Sequence, residues 1–519
     1  MADARTVQPD HEVAIIGAGL GGIGAAIALR DAGFDDLVVL ERAGDIGGTW
    51  RDNTYPGVGV DIPAQAYQFS YELKPDWSRV FAKGREVKAY VDQVADHHDV
   101  RRLVRLNSEV ASRTWDEDAG LWRLAVPGGE LTARYVVSAI GAFVDAKPTT
   151  IPGVDDFAGP VLRSASWDHA VSLAGQRVAI VGTGASAVQI IPEIADQVAH
   201  LDVYQRTPIW VAPKPDVPTP RAVEALFRRR PAVQEAVRRT VTRGTEAILI
   251  DLVTRHDRYA WLERGIRGAL RHLWYPLQVR DRELRRRLTP DYDFGCKRPA
   301  VSNRYLRTFT RDHVELVTDP IERITAGGVR TADGRERPVD VLILATGFRL
   351  ATDPENYRRT PVRGRDGFDL ATFYAEQHAS SYESISIPGL PNHFMIFGPY
   401  GWTGGTWHQL VETASAHIVR VLQEARRRGA ATVEVRPEAA ARWTRFATER
   451  LGRSLWSQGT CATANSYYFD HHGDTPFLRP TTAAEAWRAA RSFPLEDYAF
   501  ADGAAAAGDG TPATATAAG

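Results

Sequence analysis

An α/β fold with two Rossmann-like dinucleotide-binding domains is what this 519-residue sequence predicts, and two glycine fingerprints carry the prediction. The first, Gly17-Ala-Gly19-Leu-Gly-Gly22, follows an apolar strand (Val13 to Ile16) and opens an Ala-rich helix. The second, Gly182-Thr-Gly184-Ala-Ser186-Ala187, follows Val178 to Val181 in the same way. In each, the glycines allow a tight strand-to-helix turn and close backbone approach to a pyrophosphate at the helix N-terminus. The two units then differ in charge. Glu41 stands 24 residues after Gly17 and is an acceptor for a ribose 2′-hydroxyl; Arg206 stands 24 residues after Gly182 and can pair with a 2′-phosphate. The first unit therefore reads as an FAD site and the second as an NADPH site. One such fingerprint alone is a weak signal, because an ordinary Gly-rich turn can match it. Two of them, each between strand and helix and each with the fitting charge downstream, are specific.

The bulk numbers narrow the class. The length suits two or three domains with a large core. A net charge of −1 gives no electrostatic case for nucleic acid or an anionic membrane as partner. Only six lysines occur, so nearly all the positive charge is Arg, which reflects coding bias and not chemistry. The two cysteines, Cys296 and Cys461, are far apart and form no CxxC. That excludes the redox-active disulfide of a thioredoxin-reductase type flavoenzyme and points to a reducing compartment. The N-terminus has no apolar signal core, and no run of about 18 apolar residues exists to span a membrane. The expectation is a soluble, cytoplasmic enzyme, a monomer or small homo-oligomer, with no metal.

Along the chain, residues 1–9 read as an N-terminal tail and 10–145 as the FAD-binding domain, closing on the strand Tyr135-Val-Val-Ser-Ala-Ile-Gly141. A similar strand, Val339 to Ala345 with Thr346-Gly347 after it, comes much later. The NADPH-binding domain, 146–339, is thus inserted in the first domain, which resumes over 340–500 through Leu390 to Pro399. A helical excursion is expected over about 219–290, where Leu262, Ile266 and Leu270 recur at four-residue spacing, with Leu273 and Trp274 beyond. The arginines between them read as a solvated face around an apolar stripe. Residues 501–519 are Ala, Gly, Thr and Asp with no apolar periodicity, and are expected to be disordered.

Several further segments carry a family resemblance: Gly47-Gly-Thr-Trp-Arg-Asp-Asn-Thr-Tyr-Pro-Gly57, Asp61 shortly after it, Gln205-Arg-Thr-Pro208, and Cys296-Lys-Arg-Pro299 with Tyr305 and Arg311-Asp-His-Val-Glu-Leu316 downstream. With Ala345-Thr-Gly347 they resemble the class B flavin monooxygenases, specifically type I Baeyer–Villiger monooxygenases of the cyclohexanone and phenylacetone monooxygenase kind, over about residues 10 to 480. The chemistry is also arguable without the family. NADPH reduces FAD, and with no CxxC or cluster-binding cysteines to take the electrons, O2 is the natural acceptor. Reduced flavin and O2 form an anionic C4a-peroxyflavin, which needs a fixed cation beside it; Arg is charged at any working pH. The resemblance assigns that role to Arg298 and places Asp61 beside it. It puts Lys297 with Arg206 and Thr207 at the 2′-phosphate side, Thr49 and Trp50 along the FAD, Tyr67 near the isoalloxazine and the Val110 backbone at the adenine. Trp50 and Tyr67 could equally be core aromatics, Lys297 a solvated lysine and Asp61 a turn former.

Two departures stand out. The family fingerprint on the linker before the NADPH unit reads Phe157-Ala-Gly159-Pro-Val-Leu-Arg163-Ser-Ala-Ser-Trp167-Asp168, with Arg163 where His is expected. Arg neither titrates near neutrality nor accepts a hydrogen bond, so the change concerns domain coupling or is neutral drift. Ser466-Tyr467-Tyr468 stands near where related enzymes have Ser-Trp, which alters the substrate side. The implied activity is insertion of one oxygen atom from O2 next to the carbonyl of a small ketone-like molecule, giving an ester or lactone. The alternatives are oxidation of sulfur or nitrogen, or an uncoupled NADPH oxidase or flavin reductase.

Overall fold

The computed structural model describes residues 8–402 and 404–502. The strand His11–Ile16 lies between two parallel partners, Leu37–Leu40 and Gly129–Ser138. Val13, Ala14 and Ile15 are fully buried, as expected of a strand covered on both faces. The sheet runs in the order Val362–Arg363, Ser112–Asp116, Leu121–Val126, Gly129–Ser138, His11–Ile16, Leu37–Leu40, Val104–Arg105. His393–Met395 adds a further parallel partner to Gly129–Ser138. The helix Leu20–Asp31 returns between the first two strands and packs on the long helix Trp407–Arg428. Gly24 permits that approach, since a Cβ there would lie 2.5 Å from a Val411 methyl. The long helix is capped by the Thr406 side chain at its start and by Gly429, at φ 70°, at its end.

A second sheet is wholly parallel, in the order Val314–Val317, His200–Tyr204, Arg177–Val181, Val341–Leu344, Val161–Arg163. All its strands fall between those the first sheet takes from residues 11–138 and from 362–395, so the second unit is inserted in the first. Val341–Leu344 belongs to this second sheet, which moves the boundary expected at 340 beyond Leu344. Arg163 is likewise not on a linker: it ends the edge strand Val161–Arg163, in register with Leu344.

The stretch Arg221–Leu288 is helical, as its composition implied. Its four-residue spacing tracks the packed side: Leu270 is buried and Ile266 and Trp274 pack against the core, while Leu262 and Leu273 are exposed. A π-helical turn spans Leu270–Trp274. The buried side also takes Glu263, which accepts the Phe294 N–H at 2.9 Å and pairs with Arg267. At the C-terminus, Tyr498–Ala501 forms a strand with Thr432–Val435, so Ala501, expected in a disordered tail, is ordered in a strand; residues 503–519, like 1–7, lie outside the described residues. Among the described residues no helix is long and apolar enough to cross a membrane.

Candidate active site

Both fingerprints fold as strand, turn and helix. Gly17 sits at φ +103°, and a Cβ on it would meet the Ala139 carbonyl oxygen at 2.7 Å; on Gly22 it would meet the Gly17 carbonyl at 1.8 Å. Gly182 repeats this at φ +112° against Ala345, 2.5 Å away. Helices Leu20–Asp31 and Ala185–Ile194 both start at a glycine, Gly19 and Gly184, with no side-chain cap. Their first N–H groups are thus left for an anion. Space around Gly184, Gly141 and Gly347 is open within 4 Å of a built Cβ. These cradles fit two dinucleotide pyrophosphates.

Opposite charges stand beside the two cradles. Glu41 is 4% exposed; its Oε2 accepts the Ala18 N–H at 2.8 Å, and its Oε1 accepts from Ala43 and from Arg51, both at 2.9 Å. It is held next to the first cradle with carboxylate lone pairs still available for a ribose hydroxyl. Arg206 follows the strand His200–Tyr204, and its neighbour Thr207 is fixed through its carbonyl by the Thr183 hydroxyl, 3.0 Å away. Lys297 faces Arg206 from another segment. Burial, then repulsion from Arg206, pushes the Lys297 ammonium down to about 8. Two cations gathered with no paired carboxylate among the described residues suit a 2′-phosphate.

The segment after the second glycine pair links the units. Gly48 and Gly19 approach so closely that a Cβ on Gly48 would lie 3.2 Å from the Gly19 Cα. Thr49 opens the short helix Thr49–Asp52, and Trp50 donates its indole N–H to the Tyr67 hydroxyl at 3.0 Å. Tyr67 also packs edge-on against His408, ring centres 4.6 Å apart. Val110 is buried beside the first sheet's core. Gly57, at φ +83°, lies against helix Ala185–Ile194, where a Cβ would meet the Gln189 carbonyl at 2.5 Å. Tyr55 and the Gly59 carbonyl hydrogen-bond to the Gln189 amide, and Tyr55 also reaches Ser186. Ala187 is buried in the same helix.

Just past this contact Asp61 meets Arg298 in a bidentate pair, Nε to Oδ2 at 2.6 Å and Nη2 to Oδ1 at 3.0 Å. Burial alone would raise the Asp61 carboxyl, but Arg298 outweighs it and holds it below the usual carboxylate range. The same pairing overcomes burial at Arg298 and keeps the guanidinium charged. Asp61 retains 34% exposure, so the pair is not sealed in the core. Arg298 also lies over the Trp402 ring, 5.6 Å from its centre.

Sequence reasoning missed what surrounds the pair. Cys296 and Cys461, 165 residues apart, form a buried disulfide. Their separation in sequence did not lead to this pairing, and the bond removes the argument from the two cysteines for a reducing compartment. Around it, Asp293 and Thr460 exchange two hydrogen bonds, at 3.0 and 3.1 Å, and Trp456 donates to the Gly295 carbonyl at 3.1 Å. With its amide oxygen turned toward Arg206, Asn465 accepts from Nε at 2.8 Å and Nη2 at 3.1 Å. Tyr467 and Tyr468 lie under Arg298. Only the Ser-Tyr-Tyr departure hinted at this; nothing in the spacing of the cysteines did. Elsewhere, His200, Asp202 and Glu315 bring ligand atoms within 4.8 Å of one another, but Arg337 pairs with Glu315 at 2.9 Å and supplies the cation there.

Comparison with known proteins agrees with this geometry. Residues 14–243 match the pyridine nucleotide-disulphide oxidoreductase family. A Baeyer-Villiger monooxygenase of Streptomyces coelicolor is 37% identical over 96% of this chain and 94% of its own. One of Pseudomonas aeruginosa is 37% identical over 87% and 84%. Among solved structures, cyclohexanone monooxygenase from Rhodococcus sp. Phi1 bound to NADP+ superposes with a TM-score of 0.83 at 27% identity, covering 95% of this chain and all of that one. A complex of OTEMO with FAD and NADP gives 0.82 at 28% identity, covering 93% and 97%. The chain belongs to the Baeyer–Villiger monooxygenases, FAD- and NADPH-dependent enzymes that insert one oxygen atom of O2.

Proposed function

We propose that this protein oxidises an apolar ketone to an ester or lactone, and that Arg298, held by Asp61, is its catalytic cation. The bidentate Arg298–Asp61 pair at the junction of the two nucleotide units carries the reading. Gly17, Gly19, Gly22 and Glu41 would hold the FAD, with Thr49, Trp50, Tyr67 and Val110 along it. Gly182, Gly184, Ser186, Ala187, Arg206, Thr207 and Lys297 would hold the NADPH. Bound flavin supplies the two-electron reduction and O2 activation that no side chain provides. The chain supplies a permanent positive charge where negative charge develops. Asp61 takes two of the guanidinium's nitrogens and fixes its plane, leaving Nη1 for the reacting oxygens. Arg cannot lose its proton here, so the cation is present at every working pH.

The test is Arg298→Ala in the FAD-loaded enzyme. Loss of one preorganised stabiliser costs about a hundred- to thousandfold in oxygenation rate. Flavin content should stay that of the unmutated protein, since Arg298 lies apart from the Gly17–Gly22 cradle. Ketone conversion at the unmutated rate would show the assignment to be wrong.

A further inference from the structure

A small cavity beside Arg298 is lined by Ile250, Val253, Trp402, Trp456, Tyr468 and Leu478, with further aliphatic groups. Almost all of that lining is hydrocarbon or indole ring, and the Trp456 N–H is already spent on the Gly295 carbonyl. The Arg298 guanidinium, the Tyr468 hydroxyl and the Trp402 indole N–H are the side-chain groups left to meet a polar atom. Tyr468 is wedged in place, its ring 4.4 Å from Trp456 and 4.7 Å from Tyr467, centre to centre. Its hydroxyl lies close to the Tyr467 hydroxyl and to Arg298. A phenol has one proton to give and an oxygen that accepts. The neighbouring guanidinium can only donate, so the Tyr468 proton is available to an acceptor in the cavity.

We propose that Tyr468 is a further substrate-binding residue, donating a hydrogen bond from its hydroxyl to the carbonyl oxygen of an apolar ketone held beside Arg298. The assignment rests on the carbonyl reading of the site given above. It gives an apolar pocket one fixed polar anchor, which orients the ketone and rewards charge growing on its oxygen. Burial holds the Tyr468 phenol above its ordinary value, so it remains a donor across the working range. Tyr467 is a positioning residue: its ring packs edge-on against that of Tyr468 and holds it in place. A thioether has no carbonyl to receive that bond and serves as the discriminating substrate.

The experiment uses the full-length, FAD-loaded protein with NADPH. It compares turnover of the best-converted member of a panel of cyclic and steroid-like ketones with that of a thioether, in unmutated enzyme and in Tyr468→Phe. The phenylalanine keeps the ring and removes the hydroxyl. The ratio of ketone to thioether turnover is expected to fall about 10- to 100-fold, at or below the usual cost of one preorganised donor. Because both activities are read on the same preparation, a loss of fold lowers both and leaves the ratio alone. An unchanged ratio overturns the role of Tyr468. An unmutated enzyme that oxidises thioethers and no ketone overturns the carbonyl reading itself, whatever the variant does. Tyr467→Phe should lower the same ratio by less than Tyr468→Phe, and an equal or larger fall would count against Tyr467 acting through Tyr468.

Discussion

In the proposed NADPH site, the setting of Arg206 and Lys297 would turn surface charge into a binding device. Burial and its neighbour Arg206 push Lys297 down to about 8, so in the free enzyme it loses its proton within the accessible pH range. A 2′-phosphate favours the charged ammonium. Below about pH 8 Lys297 already carries its charge and the phosphate binds directly; above it, binding must also recruit a proton. The KM for NADPH should therefore rise as pH climbs through 8, by up to about tenfold per unit. NADH, which lacks the phosphate, should show no such rise, and Lys297→Gln should flatten the NADPH profile at a weaker overall affinity. Steady-state KM values from pH 6.5 to 9.5 for both nucleotides and both proteins check this; a flat NADPH profile in unmutated enzyme would remove Lys297 from the site. At this scale the sequence was informative because type and spacing were enough: Arg206 and Glu41 each stand 24 residues beyond a fingerprint glycine. The bidentate contact of Asp61 with Arg298 joins residues 237 apart, and no local pattern encodes it. That expectation came from resemblance alone.

The elements divide by how locally they are determined. Strands such as His11–Ile16 and Arg177–Val181 are short continuous apolar runs followed by a glycine that must take positive φ, and these were legible. The helical excursion was legible as helix, and Ile266, Leu270 and Trp274 on its four-residue spacing do face the core, but spacing gave no sign that Glu263 is buried beside them. The edge strand holding Arg163 was read as a linker because three residues carry too little pattern, and nothing in the structure explains Arg in place of His. The disulfide is the largest omission. It ties the segment before Lys297 and Arg298 to the one carrying Asn465, Tyr467 and Tyr468, so one covalent bond fixes two walls of the site. Cross-linking residues 165 apart restricts the unfolded chain, and a bridge closing so long a loop contributes about 3–5 kcal/mol in the chain-entropy account. Cys461→Ser should lower the midpoint of thermal unfolding, and the unmutated protein should move toward the variant's value on reduction while the variant stays put. A midpoint that no reductant changes would mean the bond contributes nothing to the fold.

Across the whole molecule, one arrangement recurs. Gly17 and Gly182, and the exits at Gly141 and Gly347, all follow the C-terminal ends of parallel strands, where open α/β sheets bind their ligands. Inserting the second unit into the first places Gly57 against helix Ala185–Ile194 and brings Asp61 to Arg298 at the seam. On the proposed reading, two generic nucleotide folds acquire a specific reaction where they meet, at a charged pair beside an apolar cavity. Chain order made the insertion legible, but not the boundary near Leu344, because Val341–Leu344 repeats the look of the first domain's closing strand while pairing in the second sheet. The central claim is that this seam delivers one atom of O2 to a carbonyl. Its most direct test is the mass of the product formed by the FAD-loaded protein with NADPH, oxygen-18 gas and a panel of cyclic ketones, steroid-like ketones and thioethers. The account predicts an ester or lactone carrying one oxygen-18 atom in its ring or chain, formed from a ketone. Labelled sulfoxide alone, or NADPH consumed with only hydrogen peroxide formed, would contradict it.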